Sequence, residues 1–177
     1  MIEKVSVVIT AHNRRKYLTD AVKSVLHQVN PGVEIEIVVV KNFVDDEIDS
    51  FLNNSGAVSI FTDEESFGSK LSLGIDASSG NIICFLDDDD MFNPYKIAII
   101  RKIFDENKGL LFVHNDIQII SEERIYFIIN EILHYHDFNF NTRIHLMQHR
   151  VNCFQKIFFS IMGSYYYRDF CYHINSP

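Results

Sequence analysis

Ile82-Ile83-Cys84-Phe85-Leu86-Asp87-Asp88-Asp89-Asp90 is the run from which the rest of this chain can be read. Five apolar residues in succession match a strand buried on both faces, as in a parallel sheet. They lead straight into four carboxylates. Like charges gathered at one point repel unless a cation lies among them. Oxygen donors of this kind suit hard divalent cations such as Mg²⁺ or Mn²⁺. The run therefore reads as a buried strand that delivers a metal- and phosphate-binding tip.

Upstream, Val5 to Thr10 is a β-branched run and reads as a first strand. It passes into the polar loop Ala11-His12-Asn13-Arg14-Arg15. Between Tyr17 and Gln28, Leu18, Ala21, Val22, Val25 and Leu26 recur at helical spacing, and Asn30-Pro31-Gly32 ends the helix. Glu34 to Val40 reads as a second strand, Asp46 to Asn53 as a helix, Ala57 to Phe61 as a short strand and Ser69 to Ala77 as a helix. Past the aspartates, Asn93-Pro94 is expected to open a helix with Pro at its first position, its apolar side formed by Ile97, Ile100, Ile103 and Phe104.

Strands and helices alternate over the first hundred or so residues, which implies a parallel sheet with right-handed crossovers and helices on its faces. Ligands of such sheets bind beyond the carboxyl ends of the strands. Three of those ends carry polar groups: Thr10 to Asn13, Lys41-Asn42, and Asp87 to Asp90. Their convergence is expected from topology.

The pattern then changes. Leu110 to Val113, Ile117 to Ile120 and Arg124 to Ile129 suggest a small antiparallel addition. Ile144 to Met162 has largely helical spacing, Tyr165-Tyr166-Tyr167 suggests a short strand, and a last helix is expected from Asp169 onward.

With 177 residues, 47% hydrophobic and 23% charged, the chain is long enough for one globular domain with a real core. A net charge of −8 speaks against a nucleic-acid surface, which needs a basic stripe. An acidic protein that binds a phosphorylated small molecule would need a metal to bridge the two. No apolar run approaches the roughly 20 residues of a transmembrane segment. Cys84, Cys153 and Cys171 show no paired spacing, and Cys84 reads as a small hydrophobe inside its strand. These features, with an N-terminus that enters a strand without a leader peptide, lead to the expectation of a reducing, cytoplasmic location. The tryptophan-free, isoleucine-rich composition points to an archaeal or viral source.

Ser6-Val7-Val8-Ile9-Thr10-Ala11-His12-Asn13-Arg14 and Phe85-Leu86-Asp87-Asp88-Asp89-Asp90-Met91-Phe92-Asn93-Pro94 resemble two motifs of the GT-A-fold glycosyltransferases of family 2. Those enzymes carry a first strand ending in a Thr/Pro-x-Tyr/His-Asn loop and an Asp-x-Asp strand followed by Phe/Trp-x-Pro. Glu34 to Asn42, Gly68 to Gly80 and Val113 to Asp116 fall in the matching order between and after them. The resemblance is good over residues 4 to 120 and weak beyond. It implies a single domain over 1–177, in which 1–120 binds the nucleotide sugar and 121–177 is a short acceptor-side part.

It further implies a metal-dependent transferase that moves a sugar from a UDP- or GDP-sugar to an acceptor hydroxyl, with inversion. The acceptor itself, a glycan, a protein or a lipid, is left open. Thr10, Ala11, His12 and Asn13 would line the base and ribose, Asn42 would sit at the base edge, and Asp87 and Asp88 would contact the donor. Asp89 would hold Mn²⁺ or Mg²⁺ against the diphosphate, with Asp88-Asp89-Asp90 as an alternative register. Lys70 reads either as a phosphate contact or as a solvated helix lysine. The acceptor base is assigned to Asp169, with Asp137 as competitor. The chain departs from the family at Lys41-Asn42, where an acidic pair is usual, and at Ser72, where Asn is common. Two other classes compete with this one. A related nucleotidyltransferase would usually carry a glycine-rich loop after the first strand, and Ala11 to Arg15 has no glycine. A non-catalytic nucleotide-sugar-binding module would bind without transfer.

Overall fold

The computed structural model describes residues 2–110, 112–114, 119–120, 125–126 and 170–173. Strands β1 (Lys4–Ala11), β2 (Glu34–Lys41), β3 (Val58–Phe61) and β4 (Ile82–Asp87) alternate with helices α1 (Leu18–Leu26), α2 (Asp46–Asn54) and α3 (Phe67–Ala77), and α4 (Lys96–Glu106) follows β4. These are the elements expected from the apolar spacing, to within a residue or two at most ends. Further strands are β5 (Phe112–His114), β6 (Ile119–Ile120), β7 (Ile125–Tyr126) and β8 (Phe170–His173).

The main sheet has the order β3-β2-β1-β4-β8-β5. β3, β2, β1 and β4 run parallel to their neighbours, and β8 inserts antiparallel between β4 and β5. β6 and β7 pair as a separate antiparallel ribbon. The chain winds from β1 outward to β3 and then crosses back to β4, so the sheet reverses its winding between β1 and β4. That is where open α/β sheets bind ligands.

Strand alternation divides the core in two. Val5, Val7, Ile9, Cys84 and Leu86 pack against α1, α2 and α4 through Leu18, Val22, Val25, Ile48, Leu52, Ile97 and Ile100. Val8, Val38, Val40, Ile83 and Phe85 pack against α3 through Leu71, Leu73 and Ile75. With helices on both faces, β1 and β4 are buried along nearly their whole length, which explains their unbroken apolar runs. α3 approaches β1 at Gly74, where an added Cβ would lie 2.3 Å from Val8 Cγ1.

Three sequence expectations change. α4 begins at Lys96, not at Pro94. Asn93 instead closes a turn, accepting the Lys96 N–H on its carbonyl at 2.9 Å and the Tyr95 N–H on Oδ1 at 3.0 Å. The segment after Asp169 is a strand, not a helix: Phe170 to His173 supplies the hydrogen-bonding partner that buried β4 requires on its second edge. Cys84 is disulfide-bonded rather than a free thiol. Antiparallel pairing sets Cys171 opposite it, a proximity that sequence spacing does not show. The expectation of a reducing compartment, drawn from unpaired cysteines, thereby loses its basis. The expected elements at 144–162 and 165–167 lie outside the described residues.

Candidate functional site

β1 and β4 are in register, with Thr10 beside Asp87, and β1 and β2 pair up to Ala11 and Lys41. The three polar strand ends therefore open onto one edge, as topology required. Side chains then join them. Asn13 has a left-handed backbone with φ 56°, which asparagine tolerates better than most residues. Asn42 holds this turn in place. Its Oδ1 accepts the Asn13 N–H at 2.8 Å, and its Nδ2 donates to Asn13 Oδ1 at 3.3 Å. The amide expected at the base edge is thus engaged with the first loop. Its neighbour Lys41 is buried and faces elsewhere, donating to Asp49 of α2 at 2.7 Å and to the Phe43 carbonyl at 2.6 Å.

The reversal at Asn13 sends the flanking side chains to different neighbours. Lys70, on α3, donates to His12 Nδ1 at 2.8 Å. On the other side of the ring, His12 Nε2 lies 3.3 Å from Asn13 Nδ2. Lys70 is only 2% exposed, which excludes a solvated helix lysine. Burial pushes its pKa below the ordinary lysine value, against the opposing charges of Glu65 and Glu64.

Arg14 turns toward the aspartates. Its Nη1 donates to Asp89 Oδ2 at 2.6 Å, and its Nη2 donates to Asp88 Oδ1 at 2.5 Å and to Asp89 Oδ1 at 3.2 Å. Asp88 is 1% exposed, and its Oδ2 is buried without a hydrogen-bond partner. Burial pushes the Asp88 carboxyl above its ordinary pKa, and the Arg14 guanidinium opposes that rise.

The tip itself is a turn, closed by the Asp90 N–H donating to the Asp87 carbonyl at 3.2 Å. The following loop is tied to α1 and the segment after it. Ser24 Oγ accepts the Phe92 N–H at 3.0 Å, Gln28 Nε2 donates to the Asn93 carbonyl at 2.8 Å, and Gln28 Oε1 accepts the Ile97 N–H at 2.9 Å. Asp87, Asp89 and Asp90 each offer a carboxylate oxygen within 4.8 Å of the others. An all-oxygen donor set of this size fits Mg²⁺ or Mn²⁺. Asp88 is outside the trio because its carboxylate turns inward to Arg14. Asp90, which the Asp87-x-Asp89 reading left out, joins it.

Thr10 and Ala11 are buried at the end of β1. His114 ends β5, whereas Asp137 and Asp169 lie outside the described residues. Arg14 and the Lys70–His12 contact were not assigned from sequence. An arginine adjacent to the Asn of the first loop was the available signal, but its target depends on the turn at Asn13.

A mainly parallel sheet flanked by helices, with an Asp-x-Asp-Asp tip at its switch point, is the architecture of a GT-A-fold domain. The chain belongs to glycosyl transferase family 2, whose sequence pattern matches residues 6–168. It is 35% identical over 126 residues to an uncharacterized glycosyltransferase of Rickettsia bellii, covering 70% of this chain and 18% of that protein. It is 25% identical over 124 residues to the poly(ribitol-phosphate) β-N-acetylglucosaminyltransferase TarS of Staphylococcus aureus, covering 67% of this chain and 21% of TarS. The crystal structure of S. aureus TarS residues 1–349 shares the fold with a TM-score of 0.55 at 24% identity, over 61% of this chain and 34% of that one. The chain spans about a fifth of the length of the Rickettsia relatives it matches. No helix among the described residues is long and apolar enough to cross a membrane.

Proposed function

We propose that this domain binds a nucleotide-diphosphate sugar through a divalent metal and acts as the donor half of a glycosyltransferase. The observation that carries this reading is the grouping of Asp87, Asp89 and Asp90 at the switch point, beside the loop that ends β1. Asp89 and its two partners would hold Mn²⁺ or Mg²⁺, which when bound neutralises charge on the leaving nucleoside diphosphate. Thr10, Ala11 and His12 would border the base and ribose, and Asn42 would support them by fixing the Asn13 turn. Lys70 would act through His12, fixing its orientation. A UDP-sugar is the first donor to test, because TarS has been crystallised with UDP-GlcNAc.

For inverting transfer, a carboxylate must take the proton of the acceptor hydroxyl. We assign this role to Asp169, with Asp137 as the alternative. Support comes from β8, which runs antiparallel to β4 and so begins, at Phe170, toward the edge that carries the aspartates. Asp169 immediately precedes it in sequence.

Calorimetry with UDP- and GDP-sugars, with and without Mn²⁺, tests the donor half. Metal-dependent binding is expected, and its absence for every donor would sink the reading. Asp169→Ala should leave donor binding intact and abolish donor hydrolysis and transfer. Turnover that survives this change moves the base to Asp137. Binding without any turnover in the unmodified chain would instead mark a nucleotide-sugar-binding module.

A further inference from the structure

Asp89 belongs to two constellations at once. It is one of the three carboxylates whose oxygens lie within 4.8 Å of one another. It is also gripped through both oxygens by Arg14, at 2.6 and 3.2 Å. A guanidinium and a divalent cation compete for the same lone pairs and repel each other across the few ångströms that separate their sites. Asp88 is different. It is shared by Arg14 but absent from the metal-competent trio, and it is buried where Asp89 is 27% exposed. The Arg14 side chain is 55% exposed, so the solvent side of the guanidinium faces the open edge of the sheet.

We propose that Arg14 is a resident counter-ion of the aspartate tip that competes with the metal for Asp89 and thereby couples metal binding to donor binding. In the free protein the guanidinium pairs with Asp88 Oδ1 and with both oxygens of Asp89, and so offsets part of the repulsion among the four carboxylates. Metal entry requires that Arg14 release Asp89 while retaining the inward Asp88. The released N–H groups then need another anion. A diphosphate offers paired oxygens that match a guanidinium fork. A nucleoside diphosphate therefore favours metal binding twice, through its own oxygens and by taking up the displaced face of Arg14. On this view Arg14 acts on metal binding through Asp89 and on donor binding by contacting the diphosphate. The inference rests on the metal-dependent donor site proposed above.

Mn²⁺ binding, followed by the loss of the free-ion electron paramagnetic resonance signal, separates this role from a structural one. The unmodified chain should bind Mn²⁺ weakly alone and at least about tenfold more tightly with UDP, a factor within the usual range of coupling between sites. Arg14→Gln should bind Mn²⁺ alone about tenfold more tightly than the unmodified chain and show a smaller gain from UDP. Arg14→Lys, which keeps the charge but loses the fork, should fall between them. If Arg14→Gln fails to fold because Asp88 is left buried and unpaired, the same titration is run on Arg14→Gln with Asp88→Asn, which removes both charges. Unchanged or weaker Mn²⁺ binding in a folded variant, with UDP binding intact in the unmodified chain, overturns the role of Arg14 alone. No Mn²⁺ binding to any of these proteins even with UDP overturns the metal site itself, and this inference with it.

Discussion

Asp88 and Asp89 are adjacent in sequence and chemically identical, yet the fold gives them opposite environments. The strand ends at Asp87, and in the turn that follows one carboxylate goes inward beneath Arg14 while the next lies beside Asp87 and Asp90. Replacing each should therefore have a distinct effect. Asp89→Ala is expected to weaken Mn²⁺-dependent nucleotide binding by more than about 100-fold, beyond the loss from removing only a supporting group. Calorimetry on the folded variant checks this, and retained metal-dependent binding would move the metal elsewhere. At Lys41 the departure from the family's acidic residue has a structural explanation: the lysine is buried against α2, paired to Asp49, and contributes nothing to the open edge.

At the level of elements, the loops at the carboxyl edge depend on how β1 is held at its other end and on its face. Glu36 of β2 accepts from Ser6 Oγ of β1 at 2.5 Å and from the Ser79 N–H and Oγ at 2.7 Å each, just before β4. Burial works to raise its pKa, but those hydrogen bonds and Lys4 hold it below the ordinary value of 4.5. A depressed carboxyl contributes stability above its unfolded pKa and loses it as pH falls through the folded one. Glu36→Gln should therefore cost about 1–3 kcal/mol at neutral pH, and the gap to the unmodified chain should narrow as pH drops below 4.5. Urea melts across that range would show it, and a gap independent of pH would refute it. On the face of the sheet, Gly74→Ala sets two effects against each other. Alanine gains up to about 1 kcal/mol in helix propensity. Its Cβ, however, meets buried Val8 at 2.3 Å, and overpacking of this kind typically costs about 1–3 kcal/mol. Net destabilisation is expected in thermal melts, and a stabilised variant would mean that α3 can shift off β1.

For the whole molecule, the proposed ligand site lies where the winding of the sheet reverses, between β1 and β4. A ligand that bridges the β1 and β4 loops should stabilise the folded chain as a unit. At ligand concentrations of about 100 times Kd the gain is about 2.7 kcal/mol, or a rise in melting temperature of about 5–10 °C for a chain of this size. UDP and Mn²⁺ together should produce it, and chelation should reverse it. An equal rise with UDP alone would show that the metal is not needed for binding.

The order of the elements, the parallel sheet and the acidic tip were readable from residues in a line. They depend on local periodicity and on apolar runs that only a doubly covered sheet can bury. Turn chemistry was less legible. Pro94 suggested a helix start, but Asn93 used its side chain to make a turn first. Contacts between distant segments were not legible at all. The disulfide at Cys84, the strand at Phe170–His173, the burial of Lys70 against His12 and the grip of Arg14 on Asp88 and Asp89 all arise from pairings across many residues. Local pattern records which face of a strand or helix is apolar. It does not record which polar groups then meet at a shared edge, because that depends on strand order, register and the sense of a single left-handed turn at Asn13.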